Sequence, residues 1–125
     1  MKFEKISPYD LQTTLDKLKK SLKDNGFGTL FELNFKDKFK EHNMDYANNY
    51  YVLEVCNPKL AKQILDISEE IGYFLPCKVV VFEKDDDVVI GMVKPTSVLH
   101  MITDNEEAFE IAREVERIVF KSFKI

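Results

Sequence analysis

The stretch Val55-Cys56-Asn57-Pro58-Lys59-Leu60-Ala61 is answered by Leu75-Pro76-Cys77-Lys78-Val79. Tyr50 to Val55 is a run of strand formers, apolar on both parities except for Glu54. Asn57 then suits an N-cap and Pro58 the first helical position, so the strand runs directly into a helix. Leu60, Ala61, Ile64 and Leu65 supply the apolar side of that helix, and Gly72 releases the chain. Leu-Pro-Cys opens the next strand. The chain therefore leaves a sheet, makes one short helix and returns. Its two cysteines stand at the two points of contact. A connection of this length brings its ends back to one edge of the sheet, so Cys56 and Cys77 are expected to lie near each other beside the helix end.

Upstream, residues 1–6 read as a weak first strand. Ser7, Pro8 and Asp10 read as N-cap, N1 and N3 of a helix whose Leu11, Leu15, Leu18 and Leu22 form one stripe. Asn25-Gly26 ends it. Thr29 to Phe35 alternates as a strand, with Thr29, Phe31, Leu33 and Phe35 expected on one side. Residues 36–49 are polar, with one short helix at Phe35–His42 anchored by Phe35, Phe39, Met44 and Tyr46. Downstream, Lys78–Glu83 and Val88–Val93 are strands joined by the hairpin Lys84-Asp85-Asp86-Asp87, and Pro95 ends the second. Thr103 and Glu106 read as a capping box for a last helix with Ala108, Ile111, Ala112, Val115, Ile118 and Val119 on its apolar face. The order predicts one α+β domain over residues 1–125, an antiparallel sheet with two long helices on one face.

Those helices cover only one face of the sheet. Tyr50-Tyr51-Val52-Leu53 and Val79-Val80-Val81-Phe82 are apolar on both parities, whereas a strand with one solvated face alternates. The other face therefore needs a cover, and a homodimer through the open sheet face is the simplest one. The net charge of −4 argues against a nucleic-acid partner. No apolar run reaches the ~20 residues of a membrane span. Met1-Lys2-Phe3-Glu4-Lys5-Ile6 lacks the apolar core of a secretory leader. A cytoplasmic protein is expected, where two cysteines are ordinarily thiols.

Several stretches together resemble the family called domain of unknown function 302. They are Tyr9 with its helix, Gly26-Phe27-Gly28 leading to Glu32, Cys56-Asn57-Pro58 with Leu60-Ala61, Ile71-Gly72, Leu75-Pro76-Cys77 with Val79-Val80-Val81, and Pro95. The resemblance implies a TATA-binding-protein-like two-layer fold, β-α-β(4)-α, here with an extra short helix, and a small dimer. It supplies no reaction, and its architecture does not carry DNA binding.

The candidate site comprises Cys56, Asn57, Cys77 and Glu32. A thiol near a helix N-terminus is reactive when its pKa falls, and a buried cysteine is otherwise inert packing. Glu32 and Glu54 interrupt apolar strands; each is either a site carboxylate or a residue at a wet sheet edge. Two functions suit this pattern. One is a dimeric binding protein for a small molecule or a soft metal near Cys56 and Cys77. The other is a thiol- or sulfur-chemistry enzyme with one cysteine as nucleophile. A structural or interaction module with inert cysteines is the third reading. His42 and His100 are the only further soft ligands, at spacings no usual zinc site has, so no metal is assigned. Phe31, Phe35, Phe39, Tyr46, Tyr50 and Tyr51 either line a small-molecule pocket or belong to the core.

Overall fold

A computed structural model describes Met1–Ile125. In chain order the elements are β1 (Lys2–Ile6), α1 (Leu11–Asp24), β2 (Gly28–Asn34), α2 (Phe35–Glu41), β3 (Tyr50–Cys56), α3 (Pro58–Ile67), a 3₁₀ turn at Ile71–Phe74, β4 (Cys77–Lys84), β5 (Asp87–Val93), α4 (Pro95–Leu99) and α5 (Glu106–Ser122). The strands form one antiparallel sheet in the order β1-β5-β4-β3-β2. The expected α+β architecture is present, with the 3₁₀ turn and α4 as additions that the sequence reading did not contain.

Period decides which residues are buried. Leu15, Leu18 and Leu22 of α1 and Val115 and Val119 of α5 recur at helical spacing. They meet Leu53, Val55, Cys77, Val79, Val81, Ile90 and Met92, which alternate along three strands. This is the covered face. A second, smaller core joins Ile64 of α3, Ile71, Leu99 of α4 and the first turns of α5. Leu65 was expected among the buried side chains of α3 but is 46% exposed. It folds instead over Gly72, where a Cβ would stand 2.4 Å from Leu65 Cδ2. A side chain at Gly72 would therefore displace the Leu65 methyl.

Two expected caps move. Ser7 does not open α1, because its N–H still bonds Val88 O of β5 at 2.8 Å and so belongs to the sheet. Its hydroxyl pairs with Thr14 Oγ1 at 2.6 Å in the interior. Asp10 is the N-cap, accepting from Thr13 N at 2.8 Å, and that bond holds its carboxyl below the ordinary range. At α5 the expected box of Thr103 and Glu106 is replaced by Asn105, which accepts from Ala108 N at 3.0 Å. Thr103 Oγ1 is turned to Asn105 N instead. Pro95 ends β5 as expected, but it also opens α4, whose Thr96 N–H is taken by the Glu116 carboxylate at 2.8 Å.

The alternation read for β2 is broken by a bulge. Thr29 faces Val55 and Phe31 faces Glu54, so Leu30 is an extra residue. Such an insertion flips the parity beyond it. Thr29, Glu32 and Asn34 therefore share the covered side, Phe31 and Leu33 the open one, and Phe35 is already in α2. Asn34 locks this corner: its Oδ1 accepts from Lys36 N and Tyr50 N, and its Nδ2 donates to Asn49 Oδ1.

Candidate functional site

The face that α1 and α5 leave uncovered carries three cross-strand rows. Ile6, Val89, Phe82 and Tyr50 form the first, and Glu4, Gly91, Val80, Val52 and Leu33 the second. Lys2 with Val93, then Lys78 with Glu54 and Phe31, form the third. One side is thus aromatic and aliphatic, the other charged, and the middle row dips at Gly91. A groove of about 560 Å³ opens there, walled by Phe82, Val80 and Tyr50 and, at its far end, by Tyr73, Pro76 and Pro95. On this face Lys2 pairs with Glu4 at 3.1 Å, and the Lys78 ammonium stands 3.6 Å from Glu54.

The aromatic row continues past the sheet. Phe82 stacks on Tyr50 at 5.3 Å between centroids, Tyr50 meets Phe35 at 6.2 Å, Phe35 meets Phe39 at 5.6 Å and Phe39 meets Tyr46 at 5.4 Å. This chain of rings is what holds α2 and the segment after it, and no residue of α2 is buried. Met44, expected as an anchor, is 52% exposed. Tyr51 points to the other face and packs on the core.

The four residues singled out from the sequence do not form one site. Asn57 caps α3 as expected, its Oδ1 accepting from Leu60 N at 3.1 Å. Its Nδ2 also lies 2.9 Å from where a Cβ on Gly26 would stand, at a backbone φ of +88° that only glycine adopts at little cost. Glu32 sits on the edge strand and pairs with Lys19 of α1 at 2.8 Å, away from both cysteines. Glu54 is the carboxylate that shares the open face with Cys56, on an interior strand rather than at the sheet edge.

The expected pairing of the cysteines is corrected. Cys77 lies opposite Val55, not opposite Cys56. Adjacent residues of a strand point to opposite faces, so Cys77 enters the covered core and Cys56 takes the parity of the open face. Both are free thiols. The gap that both border beneath α3 measures about 10 Å³, roughly one water and no more. His42 ends α2 and His100 ends α4, where it packs on Phe109 at 4.5 Å between centroids. Neither approaches a cysteine to complete a soft-metal set, and no group of three or more His, Cys, Asp or Glu side chains is placed to hold a metal ion.

Burial pushes the Cys77 thiol up to about 11, with a smaller push from Cys56. At neutral pH it is protonated, which opposes a nucleophilic role. The shift has a stability consequence. Below about 9, where the unfolded thiol titrates, both states keep the proton and the fold is unaffected. Between about 9 and about 11 only the unfolded chain ionises, so stability falls as pH rises through that window. Urea unfolding at pH ~8 and ~10.5 is expected to show about 2 kcal/mol more loss in the wild type than in Cys77→Ala, from the two-unit shift. Equal losses in the two proteins would refute the buried, proton-holding thiol.

Comparison with known proteins agrees with the fold. The family described as "Domain of unknown function DUF302" matches residues 3–121. The chain belongs to that family. It is similar to the crystal structure described as "uncharacterized conserved protein DUF302 from Bacillus stearothermophilus", with a TM-score of 0.92 and 33% identity over 98% of this chain and 94% of that one. No functionally curated protein matches. Within this DUF302 chain, sequence reasoning passed over Gly91, Lys78 and Tyr73. Gly91 had a signal: a glycine inside the apolar run Val88–Val93 marks either a bulge or a close approach, and β5 pairs without a bulge on both sides.

Proposed function

We propose that this DUF302 domain is a homodimeric binding protein that takes a small molecule on the open face of its sheet. The observation that supports this reading is the groove at Gly91. Its volume of about 560 Å³ falls within the roughly 300–1,000 Å³ of ligand sites, and its lining is mainly apolar with a few charged groups, as such sites are. A second copy is the cover this reading assigns to Ile6, Phe31, Leu33, Val52, Val80 and Phe82. A two-fold axis then places the same apolar rows on both partners and encloses the groove between them.

Cys77 borders the groove and Cys56 does not, so the site is shifted from the cysteine pair toward the middle of the sheet. The soft-metal form of the proposal has no ligand set to support it, and the thiol enzyme cannot draw on Cys77, which burial keeps protonated. The reading includes no nucleic-acid partner, because the chain carries a net charge of −4 and phosphate binding needs a basic face. It includes no membrane partner, as no helix is long and apolar enough to cross one. It assigns the cytoplasm, where two unpaired thiols are ordinary.

Titration with N-phenyl-1-naphthylamine, a neutral apolar fluorophore, tests the proposal. Saturable binding with a stoichiometry fixed per chain is expected, together with a thermal unfolding midpoint that rises as the probe saturates the folded protein. Emission that rises linearly with probe, without saturation, would overturn it.

A further inference from the structure

We propose that Gly91 and Lys78 select the ligand of this groove as an elongated apolar acid. Its body lies over Gly91 and Val80 against the rings of Phe82 and Tyr50, and its single acidic group reaches Lys78. The inference rests on the small-molecule reading above and adds the ligand's chemistry to it.

Gly91 carries the first half of the argument. Its backbone is extended and pairs with Glu4 on one side and Val80 on the other, a conformation open to any residue. Glycine weakens a strand interior through backbone entropy and lost side-chain packing. No bulge or positive φ offsets that cost here. A Cβ at this position would meet Phe3 O at 3.4 Å, Glu4 Cγ at 3.6 Å and Val80 Cγ2 at 3.6 Å. A methyl group therefore just fits, and anything larger must rise out of the sheet into the groove. The missing side chain leaves a narrow dip about one methyl group deep between Glu4 and Val80, set between two rows of different character. A flat or narrow apolar body fills such a slot; a bulky polar one does not.

Lys78 carries the second half. The slot has an aromatic wall, Phe82 stacked on Tyr50, and a charged wall on the opposite row. On that wall Lys2 is matched by Glu4 at 3.1 Å, but the Lys78 ammonium stands 3.6 Å from Glu54, beyond hydrogen-bond distance. An ammonium has three donors, and those of Lys78 have no bonded acceptor in the protein. It is 62% exposed while Glu54 is 30% exposed, so the cation rather than the carboxylate is presented to the groove. An acidic group arriving from the Gly91 slot meets that cation first, and a basic one would have to displace it.

Two probes that differ in charge separate the claims. 8-Anilino-1-naphthalenesulfonate is an apolar acid, and N-phenyl-1-naphthylamine is its neutral counterpart. Wild type is expected to bind both. Gly91→Val, which suits a strand, is expected to weaken both by about tenfold or more at unchanged far-ultraviolet circular dichroism. Lys78→Gln is expected to weaken the sulfonate severalfold and leave the neutral probe as it was. Wild-type affinity for both probes in Gly91→Val overturns the slot. Equal effects of Lys78→Gln on the two probes, including no effect on either, overturn the acid. If Gly91→Val does not fold, Gly91→Ala replaces it: a loss on both probes in the same direction supports the slot, and unchanged affinity overturns it. Failure of the wild type to bind either probe defeats the binding reading itself, which distinguishes it from failure of the ligand class.

Discussion

Phe82→Lys is expected to turn the proposed dimer into monomers and leave the fold of each chain intact. Phe82 stands in the first row of the open face, stacked on Tyr50 and paired across strands with Val89. Within one chain it is only half-buried, so the sheet tolerates a lysine there, with its stem on Tyr50 and its ammonium in water. A second copy removes that water. By two-fold symmetry each substitution enters the interface twice, and an unpaired buried charge costs several kcal/mol. A cost of about 2 kcal/mol per copy raises the dissociation constant roughly a thousandfold. Far-ultraviolet circular dichroism is expected to be unchanged. Sedimentation velocity that finds the variant as associated as the wild type would place the contact elsewhere.

The largest stability effect is expected at Phe27. It follows Gly26 at the end of α1, is 2% exposed, and its N–H bonds Leu22 O at 2.8 Å. Its ring belongs to the core with Leu18, Leu22, Leu53 and Val55, and it borders the gap beneath α3. That gap is only about 10 Å³, so neighbours have little slack with which to collapse. Phe27→Ala is therefore expected to cost about 3–5 kcal/mol, transfer and cavity together. Leu65→Ala, on an exposed side chain, serves as the contrast and is expected to cost under about 1 kcal/mol. Urea unfolding with equal losses at the two positions would contradict the core described for α1 and the sheet.

What the sequence made legible is what local chemistry determines. The leucines of α1 and the strand formers of β3, β4 and β5 carry their periods openly, and Asn57-Pro58 is a helix start in any context. The layer order follows from them, as does the uncovered face. Parity between distant strands was not legible. Cys56 and Cys77 flank one excursion of the chain, and nothing local says whether Cys77 aligns with Val55 or with Cys56. One residue of register moves the sulfur from one face of the sheet to the other. The bulge at Leu30 hid the faces of β2 for the same reason. Caps misled where a second capping residue type followed closely on the one read as the cap: Asp10 after Ser7, Asn105 after Thr103. In each case a tertiary or turn bond, Ser7 N to Val88 O or Asn105 N to Thr103 Oγ1, removed the first from the helix.

The candidate site was less legible than the fold because its parts are far apart in sequence. Lys2 and Glu4 come from β1, Lys78 to Phe82 from β4 and Gly91 from β5. Only the pairing of β1 and β4 on either side of β5 brings them together. Cysteine chemistry is rare and stands out in a sequence, while the groove is built from residues that are individually common. The glycine in β5 was the one local irregularity pointing there.

The open face of the sheet is expected to be covered by a second copy of the chain. Sedimentation equilibrium of the wild type at micromolar concentration tests it directly. A mass of twice 14.6 kDa is expected, dissociating only on dilution. A mass of 14.6 kDa throughout that range would contradict it.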